Sequence, residues 1–207
     1  GASPSSLGNP AAPPRRPGTV GVPFPSTRIR IVDSDEPSHD QPIGVQGELL
    51  IGGPQVFAGY WNQPQETATV LLAGGWVRTG DIAVADAEGF VRIVDRIKEL
   101  IITGGFNVYP SEVEDVLREI PEVEDVAVVG VRAADDTGEE VVAAVVLVAG
   151  ATIDPERVRA FARERLTGYK VPRRVMIVED LPRSQIGKIL RRRVRDRIEA
   201  TDAFDVD

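Results

Sequence analysis

The chain has 207 residues, of which 42% are hydrophobic and 27% are charged, an ordinary globular composition with room for one large domain or two small ones. It has no cysteine, which excludes disulfides and thiolate metal sites, and only one histidine, His39, which excludes a His-rich metal site. The net charge of −8 argues against nucleic-acid binding over the whole surface, and no apolar run is long enough to span a bilayer. We therefore expect a cytoplasmic protein with no transmembrane segment and no nucleic-acid partner.

Residues 1–17 are rich in proline, serine, glycine and alanine, which predicts a loop or arm. The next stretch, to about residue 94, is predicted to be mostly β, with one short helix over residues 65–72. Runs that are apolar or alternating, and are bounded by turn residues, predict strands over residues 28–31, 47–52, 76–78 and 90–94. Short strands at regular spacing are typical of small barrel-like or sandwich-like units. His39 falls in a polar, turn-rich stretch, so we expect it to be exposed.

After Asp95 the first series of strand-like patterns ends and a helical pattern begins. Ser111 is followed three residues later by Glu114, the spacing of a capping box with the serine as N-cap. The apolar positions that follow have helical spacing and would form the buried face: Val113, Val116, Leu117 and Ile120.

The remainder of the chain alternates strands and helices. Apolar runs predict strands over residues 126–131, 141–148 and 174–178. Asp154 as N-cap and Pro155 at the first helical position predict a second helix. A final helix would bury one face that consists of Leu190, Val194 and Ile198. These elements predict an α+β unit that begins near Asp95.

A basic segment near the C-terminus contains a lysine in an unusual place. Residues 181–188 read Leu-Pro-Arg-Ser-Gln-Ile-Gly-Lys, and a basic helical pattern begins directly after Lys188. A cation in the first turn of a helix is opposed by the helix dipole, so its placement calls for a reason. Lys188 is either a catalytic cation or a solvated lysine at a helix boundary.

The basic segment as a whole is also open to two interpretations. Seven cations lie between Arg183 and Arg197, and only Asp196 offsets them there. They form either a solvated helix face or a site for the phosphates of a nucleotide or coenzyme A. The segment has no interleaved aromatic residues, which makes it a poor fit to nucleic-acid stacking.

Polar motifs upstream are individually ambiguous. The Thr-Gly-Asp motif that ends at Asp81 could present a carboxylate to both hydroxyls of a ribose, or could simply form a turn. Arg96 could reach a ribose or a phosphate, or form a surface ion pair. Gly104 and Gly105 could let a ligand approach the backbone closely, or could form a tight turn.

Taken together and in this order, four segments resemble the adenylate-forming (AMP-binding) enzyme superfamily, which includes acyl-CoA synthetases, peptide-synthetase adenylation domains and luciferases. The resemblance runs from about residue 18 to about residue 193. The matching segments are GELLIGGPQVFAGYW (47–61), WVRTGD (76–81), DRIKELIITGGFNVYPSEVE (95–114) and LPRSQIGK (181–188). The form of the third segment is most similar to fatty acyl-CoA ligases.

The chain departs from the family pattern in two ways. The Ser/Thr/Gly-rich loop ending in Pro-Lys-Gly that binds the ATP phosphates is absent, and so is a Tyr-Gly-x-Thr-Glu segment expected just before residues 2–4. The resemblance therefore implies the C-terminal part of a longer α+β synthetase, inactive by itself. Residues 1–17 would be a loop or arm, residues 18–95 the mostly-β, distorted-barrel end of the large adenylation domain, and residues 96–207 the small mobile α+β domain.

The resemblance implies an ATP-dependent acyl-CoA ligase that acts on a fatty acid or a related carboxylic acid. It would use ATP, Mg²⁺ held mainly by upstream residues, and coenzyme A. The acid would form acyl-AMP, and coenzyme A would then displace AMP. The alternatives are an acyl-AMP ligase or adenylation domain that delivers to a carrier protein, and a non-catalytic binding module.

The resemblance also implies roles for individual residues. Lys188 would be the catalytic cation of acyl-AMP formation, and acetylation by a protein acetyltransferase, reversed by a deacetylase, would switch that step off. Asp81 and Arg96 would hold the ribose, and Lys98 would be the hinge of the small domain. The coenzyme A arm would pass the loop Gly104, Gly105 and Phe106. Weaker candidates for coenzyme A contacts are Lys170, Arg173, Arg174 and residues 191–193.

Overall fold

The computed structural model describes residues 6–11, 14–133, 138–185 and 187–204, with side chains up to residue 201. The chain forms two compact units, Gly1–Lys98 and Glu99–Asp207. Both units contain helices and strands, which confirms the predicted α+β class. That the units are the end of a large adenylation domain and a complete small mobile domain stays a prediction.

The first unit is mostly β. Its elements are β1 (Leu7–Gly8), β2 (Val22–Pro23), β3 (Arg28–Val32), β4 (Gly47–Gly52), α1 (Pro64–Val70), β5 (Leu71–Leu72), β6 (Trp76–Ala85) and β7 (Val91–Arg96). The structure differs from the predicted N-terminal loop at β1, which forms an antiparallel pair with β2. Residues 1–5 and 12–13 of that loop lie outside the described residues.

Strand β6 organises the main sheet of the first unit. It pairs antiparallel with β4 along one edge, while β5 and β7 pair with the first and second halves of its other edge. Strand β3 extends the sheet beyond β4. All six residues of β4 are buried, as expected for an apolar run with strands on both sides. The strand predicted over residues 76–78 is therefore the start of a ten-residue strand.

The second unit is a three-layer arrangement around a three-stranded sheet. Its elements are β8 (Ile101–Thr103), β9 (Phe106–Val108), α2 (Pro110–Leu117), β10 (Val123–Arg132), β11 (Glu139–Leu147), α3 (Pro155–Arg163), β12 (Arg174–Ile177) and α4 (Arg191–Phe204). Strands β10 and β11 are antiparallel, and β11 and β12 are parallel.

Alternate residues of β10 and β11 enter two separate cores. One core packs Val126, Val128 and Val145 against α2 and α3, and the other packs Ala127, Val129 and Val142 against α4. Because successive side chains of a strand point to opposite faces, both faces of this hairpin need a cover. The helices supply it through amphipathic faces, such as Val194 and Ile198 of α4.

The helix starts show one confirmed and one wrong prediction. Asp154 caps α3, because its side chain accepts a hydrogen bond from the Glu156 N–H and Pro155 follows at the first position. The capping box at Ser111 is wrong. Helix α2 begins one residue earlier, at Pro110, with Tyr109 at the N-cap and no side-chain cap. Proline takes the first position readily because it has no N–H to satisfy.

Two expectations can be checked in the part of the chain that is described. No helix there is long and apolar enough to cross a membrane. His39 is exposed as predicted, and its Nδ1 lies 2.6 Å from Glu36 Oε2. The same loop is closed by the Asp33 carboxylate, which accepts the N–H groups of Glu36 and Asp35, and these hydrogen bonds lower the pKa of Asp33.

We predict that Val113→Ala lowers the free energy of unfolding of the second unit by about 2 kcal/mol, because two buried methyl groups are lost. Val113 is fully buried in α2, whereas Val116 is half-buried on the same helix. Val116→Ala makes the same change in helix propensity, so it is the matched control. Urea unfolding followed by far-ultraviolet circular dichroism would measure both, because α2, α3 and α4 all lie in this unit.

The two tryptophans, Trp61 and Trp76, lie in the first unit, so their fluorescence gives an internal reference in the same experiment. Equal losses for the two valine variants would contradict the packing described for α2.

Candidate functional site

The Thr-Gly-Asp motif forms an irregularity in β6. Between the register pairs Glu48–Ile82 and Leu50–Arg78, three residues of β6 face the single residue Leu49. The Thr79 hydroxyl donates to the Leu49 carbonyl at 2.8 Å and accepts the Asp81 N–H at 3.1 Å. Such bulges bend a strand and redirect the side chains that follow. The motif is thus a structured bulge that fixes the backbone at Asp81.

Asp81 and Arg96 are brought together across β6 and β7. They are register partners, and Arg96 Nε lies 3.2 Å from Asp81 Oδ1. The Arg96 side chain is 69% exposed and that of Asp81 31%. An exposed pair of this kind contributes little to stability. It presents a carboxylate acceptor beside a guanidinium donor, which are the groups needed to hold a ribose diol and a phosphate.

A buried ion pair lies directly before this bulge, and the sequence reading did not find it. Glu48 is fully buried in β4, and its Oε2 accepts hydrogen bonds from Arg78 Nη2 at 2.6 Å and Nε at 2.8 Å. Two nitrogens of the Arg78 guanidinium meet the same carboxylate oxygen, and these charge-assisted contacts fix Arg78, the residue before the motif. A glutamate inside the apolar run of residues 47–52 was the available signal.

Lys98 lies in a short 3₁₀ turn, Ile97–Glu99, and its side chain is exposed. It is the last residue of the first compact unit. The predicted hinge position therefore coincides with the division between the two units.

Gly104 and Gly105 form the turn of the hairpin between β8 and β9. Thr103 pairs with Phe106 across the turn, and the two glycines have φ angles of 56° and 81°. These values fit a type I′ turn, which requires positive φ at both central residues. A Cβ atom at either position would meet nothing within 4 Å. The glycines are explained by the turn, and close approach of a ligand stays a prediction.

Phe106, next to this turn, stacks on an aromatic residue that the sequence reading missed. The rings of Phe106 and Tyr169 are 4.5 Å apart and nearly parallel, at 17°. Both remain substantially exposed. Tyr169 belongs to a 3₁₀ turn, Gly168–Lys170, in the Tyr-Lys-Val-Pro segment of the sequence. The two elements together form an exposed aromatic surface.

The ammonium of Lys170 is already engaged. Its Nζ lies 2.6 Å and 2.7 Å from the two carboxylate oxygens of Glu112. A contact between Lys170 and coenzyme A, the weakest of the predictions, would have to replace this ion pair.

Lys188 is not in the first turn of a helix, and that prediction is wrong. Helix α4 begins at Arg191, and Lys188 precedes it in a tight loop. The Ser184 N–H donates to the Lys188 carbonyl at 2.8 Å, and the Leu190 N–H donates to the Pro182 carbonyl at 2.8 Å. The helix cannot start earlier because these backbone groups are used in the loop. Ile186, inside this loop, lies outside the described residues.

The Lys188 side chain is exposed, and none of the carboxylates in the described part of the chain pairs with it. This differs from most of the basic segment around it. Arg183 pairs with Asp125, Arg195 with Glu139 and Arg197 with Asp180, and Arg191 pairs with Glu99 and Glu114. The segment is therefore largely neutralised, which favours the solvated helix face over a broad phosphate site.

Two family models match the chain. The model described as AMP-binding enzyme matches residues 2–61, and the model described as AMP-binding enzyme C-terminal domain matches residues 112–188. The chain belongs to the family of adenylate-forming, AMP-binding enzymes. The resemblance drawn from the four sequence segments is thereby confirmed.

Curated relatives agree with this family. The long-chain-fatty-acid–CoA ligase of Escherichia coli O6:H1 is 47% identical over 179 residues, 86% of this chain and 31% of that protein. The protein of the same name from Yersinia pestis is 44% identical over 204 residues, 97% of this chain and 35% of that protein. The indoleacetate–CoA ligase of Aromatoleum aromaticum is 42% identical over 91% of this chain and 36% of that protein. The chain thus spans about a third of the length of these relatives.

Solved structures of the same family match the fold. ATP-bound MatB from Rhodopseudomonas palustris has a TM-score of 0.81 and 38% identity, covering 95% of this chain and 39% of that one. The Mycobacterium tuberculosis fatty acyl CoA synthetase has a TM-score of 0.68 and 35% identity, covering 89% of this chain and 36% of that one.

Proposed function

We propose that this chain is part of an ATP-dependent acyl-CoA ligase, with a fatty acid as the most favoured substrate class. The observation that carries the proposal is the 44% identity to a long-chain-fatty-acid–CoA ligase across 97% of the chain. The first unit would be the β end of the large adenylation domain, and the second unit the small mobile domain.

The reaction would have two steps. In the first, a carboxylate oxygen attacks the α-phosphorus of ATP, which forms acyl-AMP and releases pyrophosphate. Charge builds up at phosphorus as two anions meet, and a cation aimed at it stabilises the transition state. Lys188 is proposed for this role because it is exposed at a loop and forms no ion pair among the described side chains.

Asp81 and Arg96 are proposed to position the ribose of ATP and of acyl-AMP. Their side chains meet across neighbouring strands, and the bulge at Thr79 holds the backbone of Asp81. Their contribution would be orientation of the reacting phosphate, which lowers the entropy cost of the step.

Mg²⁺ would neutralise phosphate charge when bound, but the residues described here do not fit a site for it. Among them, no group of three or more histidine, aspartate or glutamate side chains could hold a metal ion. No role toward the metal is therefore assigned to this chain.

In the second step, the thiol of coenzyme A attacks the acyl carbonyl, the thioester forms and AMP leaves. The hairpin at Gly104, Gly105 and Phe106 is proposed to line the passage of the thiol arm. In support of this proposal, the aromatic surface of Phe106 and Tyr169 is exposed beside a turn that has no side chains of its own. Lys98 is proposed as the hinge, because it ends the first unit in an exposed turn.

We predict that Lys188→Ala reduces acyl-AMP formation by about 10²–10³-fold, the scale for removing one transition-state donor. The enzyme expressed from its complete open reading frame would receive ATP, Mg²⁺ and a panel of acids, with acyl-AMP read by mass spectrometry. Arg192→Ala, an exposed cation nearby, is the matched control and should keep wild-type rates.

The same assay separates the competing functions. Preformed acyl-AMP with coenzyme A should give thioester in both wild type and Lys188→Ala. Transfer to a carrier protein or an amine instead of coenzyme A would indicate a different acceptor. Equal acyl-AMP formation by Lys188→Ala and wild type would refute the role of Lys188, and none by wild type would leave the binding module as the function.

We predict that Lys98→Pro lowers thioester formation while acyl-AMP formation persists. Proline fixes φ and removes the N–H, so the turn could no longer take up the backbone change that a domain rotation needs. Lys98→Ala is the control, since it removes the charge and keeps the backbone free. The two half-reactions would be timed separately, and an equal loss in both steps would count against the hinge.

We predict that acetylation of Lys188 abolishes acyl-AMP formation, because it removes the charge. The chain has three lysines, Lys98, Lys170 and Lys188, so a modification must be placed by site-specific insertion of acetyl-lysine. Acetyl-lysine at position 98 is the control for the first step, and a deacetylase should restore activity at position 188. Full activity of the enzyme acetylated at Lys188 would exclude this form of regulation.

A further inference from the structure

We propose that Glu114 is a positioning residue for Lys188, acting through Arg191. The inference rests on the proposed role of Lys188 in acyl-AMP formation, and it assigns to Glu114 the task of holding the Lys188 loop in place. The sequence pattern predicted a different role for Glu114, as the second residue of a capping box. In the structure α2 has no side-chain cap, so Glu114 does not cap this helix.

Glu114 is a buried carboxylate in the core of the second unit. It lies in α2 and is only 2% exposed. Its Oε1 accepts the N–H of Val128, in the middle of β10, at 2.9 Å. The same oxygen accepts Arg191 Nε at 3.0 Å, and Oε2 accepts Arg191 Nη2 at 2.9 Å. The carboxylate and guanidinium form a bidentate pair, the geometry that best fixes orientation.

Arg191 joins this pair to the Lys188 loop. It is the first residue of α4 and comes three residues after Lys188. The Leu190 N–H, immediately before it, closes the loop onto the Pro182 carbonyl. The third nitrogen of Arg191, Nη1, pairs with Glu99. Fixing Arg191 therefore fixes the C-terminal end of the loop against both α2 and β10.

Stability alone is a weak explanation for this arrangement. Removing a carboxylate and a guanidinium from water costs free energy, and an apolar pair of similar volume often serves a core as well or better. The neighbouring positions of α2, Val113 and Leu117, are apolar and fully buried. A charged fork at this position gives one orientation to the start of α4, which apolar contacts do not specify.

Orientation matters for a catalytic cation on a loop. A displacement of about 1 Å in a positioning group can cost about 10²-fold in rate. Lys188 has no ion pair of its own within the described residues, so its position depends on the backbone that carries it. Two ion pairs attach that backbone to the second unit: Arg183 pairs with Asp125 of β10 and donates to the Gly187 carbonyl before Lys188, and Arg191 pairs with Glu114 after it.

Glu114→Gln tests the proposal because it keeps the shape and removes the charge. Arg191→Lys is the second variant, since it keeps a cation and loses the fork. Arg118→Met is the matched control. Arg118 also contacts Glu114, with Nη2 at 3.1 Å from Oε2, but it is the C-cap residue of α2 and also pairs there with Asp115.

The first measurement is amide hydrogen exchange on the 207-residue chain. Peptides that cover residues 183–190 should exchange faster in Glu114→Gln and Arg191→Lys than in wild type or Arg118→Met. Exchange in β11, and in β10 apart from the Val128 amide that Glu114 accepts, should stay unchanged, which separates a local loosening from general destabilisation. Unchanged exchange over residues 183–190 in both variants would overturn the proposal.

The second measurement uses the two half-reactions of the enzyme from its complete open reading frame. Glu114→Gln and Arg191→Lys should each lower kcat for acyl-AMP formation by up to about 100-fold, with KM for ATP nearly unchanged. The double variant should have nearly the same kcat as either single variant, because both substitutions break the same ion pair. Thioester formation from preformed acyl-AMP should remain at the wild-type rate.

The two measurements distinguish failure of the proposed function from failure of the positioning proposal. If wild type forms no acyl-AMP, the proposed function fails, while hydrogen exchange still decides whether the pair holds the loop. If acyl-AMP formation in both variants equals wild type, or if both half-reactions fall together, Glu114 has a structural role only and the positioning proposal is wrong.

Discussion

The need to cover both faces of one hairpin determines most of the second unit. Strands β10 and β11 are rich in valine and alanine, and their alternate residues enter two cores. A strand pair with no polar face cannot meet water on either side, so α2 and α3 must pack on one face and α4 on the other. The loop that carries Lys188 precedes α4, so its location follows from how this helix covers the sheet.

Both units contain a buried glutamate held by an arginine fork next to a proposed site residue. Glu48 holds Arg78, which comes before the bulge at Asp81, and Glu114 holds Arg191, which follows the loop of Lys188. In both places the ion pair holds a strand or the end of a helix in one orientation. The exposed bulge or loop next to it is thereby oriented as well.

The proposed site residues are on turns, loops and strand irregularities, while the sheets remain regular. Asp81 follows a bulge, Gly104 and Gly105 form a type I′ turn, and Lys188 lies in a closed loop. This division suits the proposed two-step reaction, because loops can approach substrates while the scaffold keeps its packing. The aromatic pair of Phe106 and Tyr169 adds an exposed apolar surface to one of these turns.

The sequence alone determined the family, the fold class and most strands, because apolar alternation and ordered motifs are local properties. It also determined the start of α3, since the Asp154 carboxylate and Pro155 act within one turn. It could not determine the role of Glu114 or the start of α4. The Ser-x-x-Glu pattern is compatible with a cap, but Pro110 begins the helix, and the partner of Glu114 is Arg191, 77 residues away. Lys188 was placed in a helix because its neighbours have helical spacing, whereas the tertiary structure uses their backbone groups to close a loop. A contact between distant residues such as Glu114 and Arg191 leaves no local signal, and only the packed structure decides it.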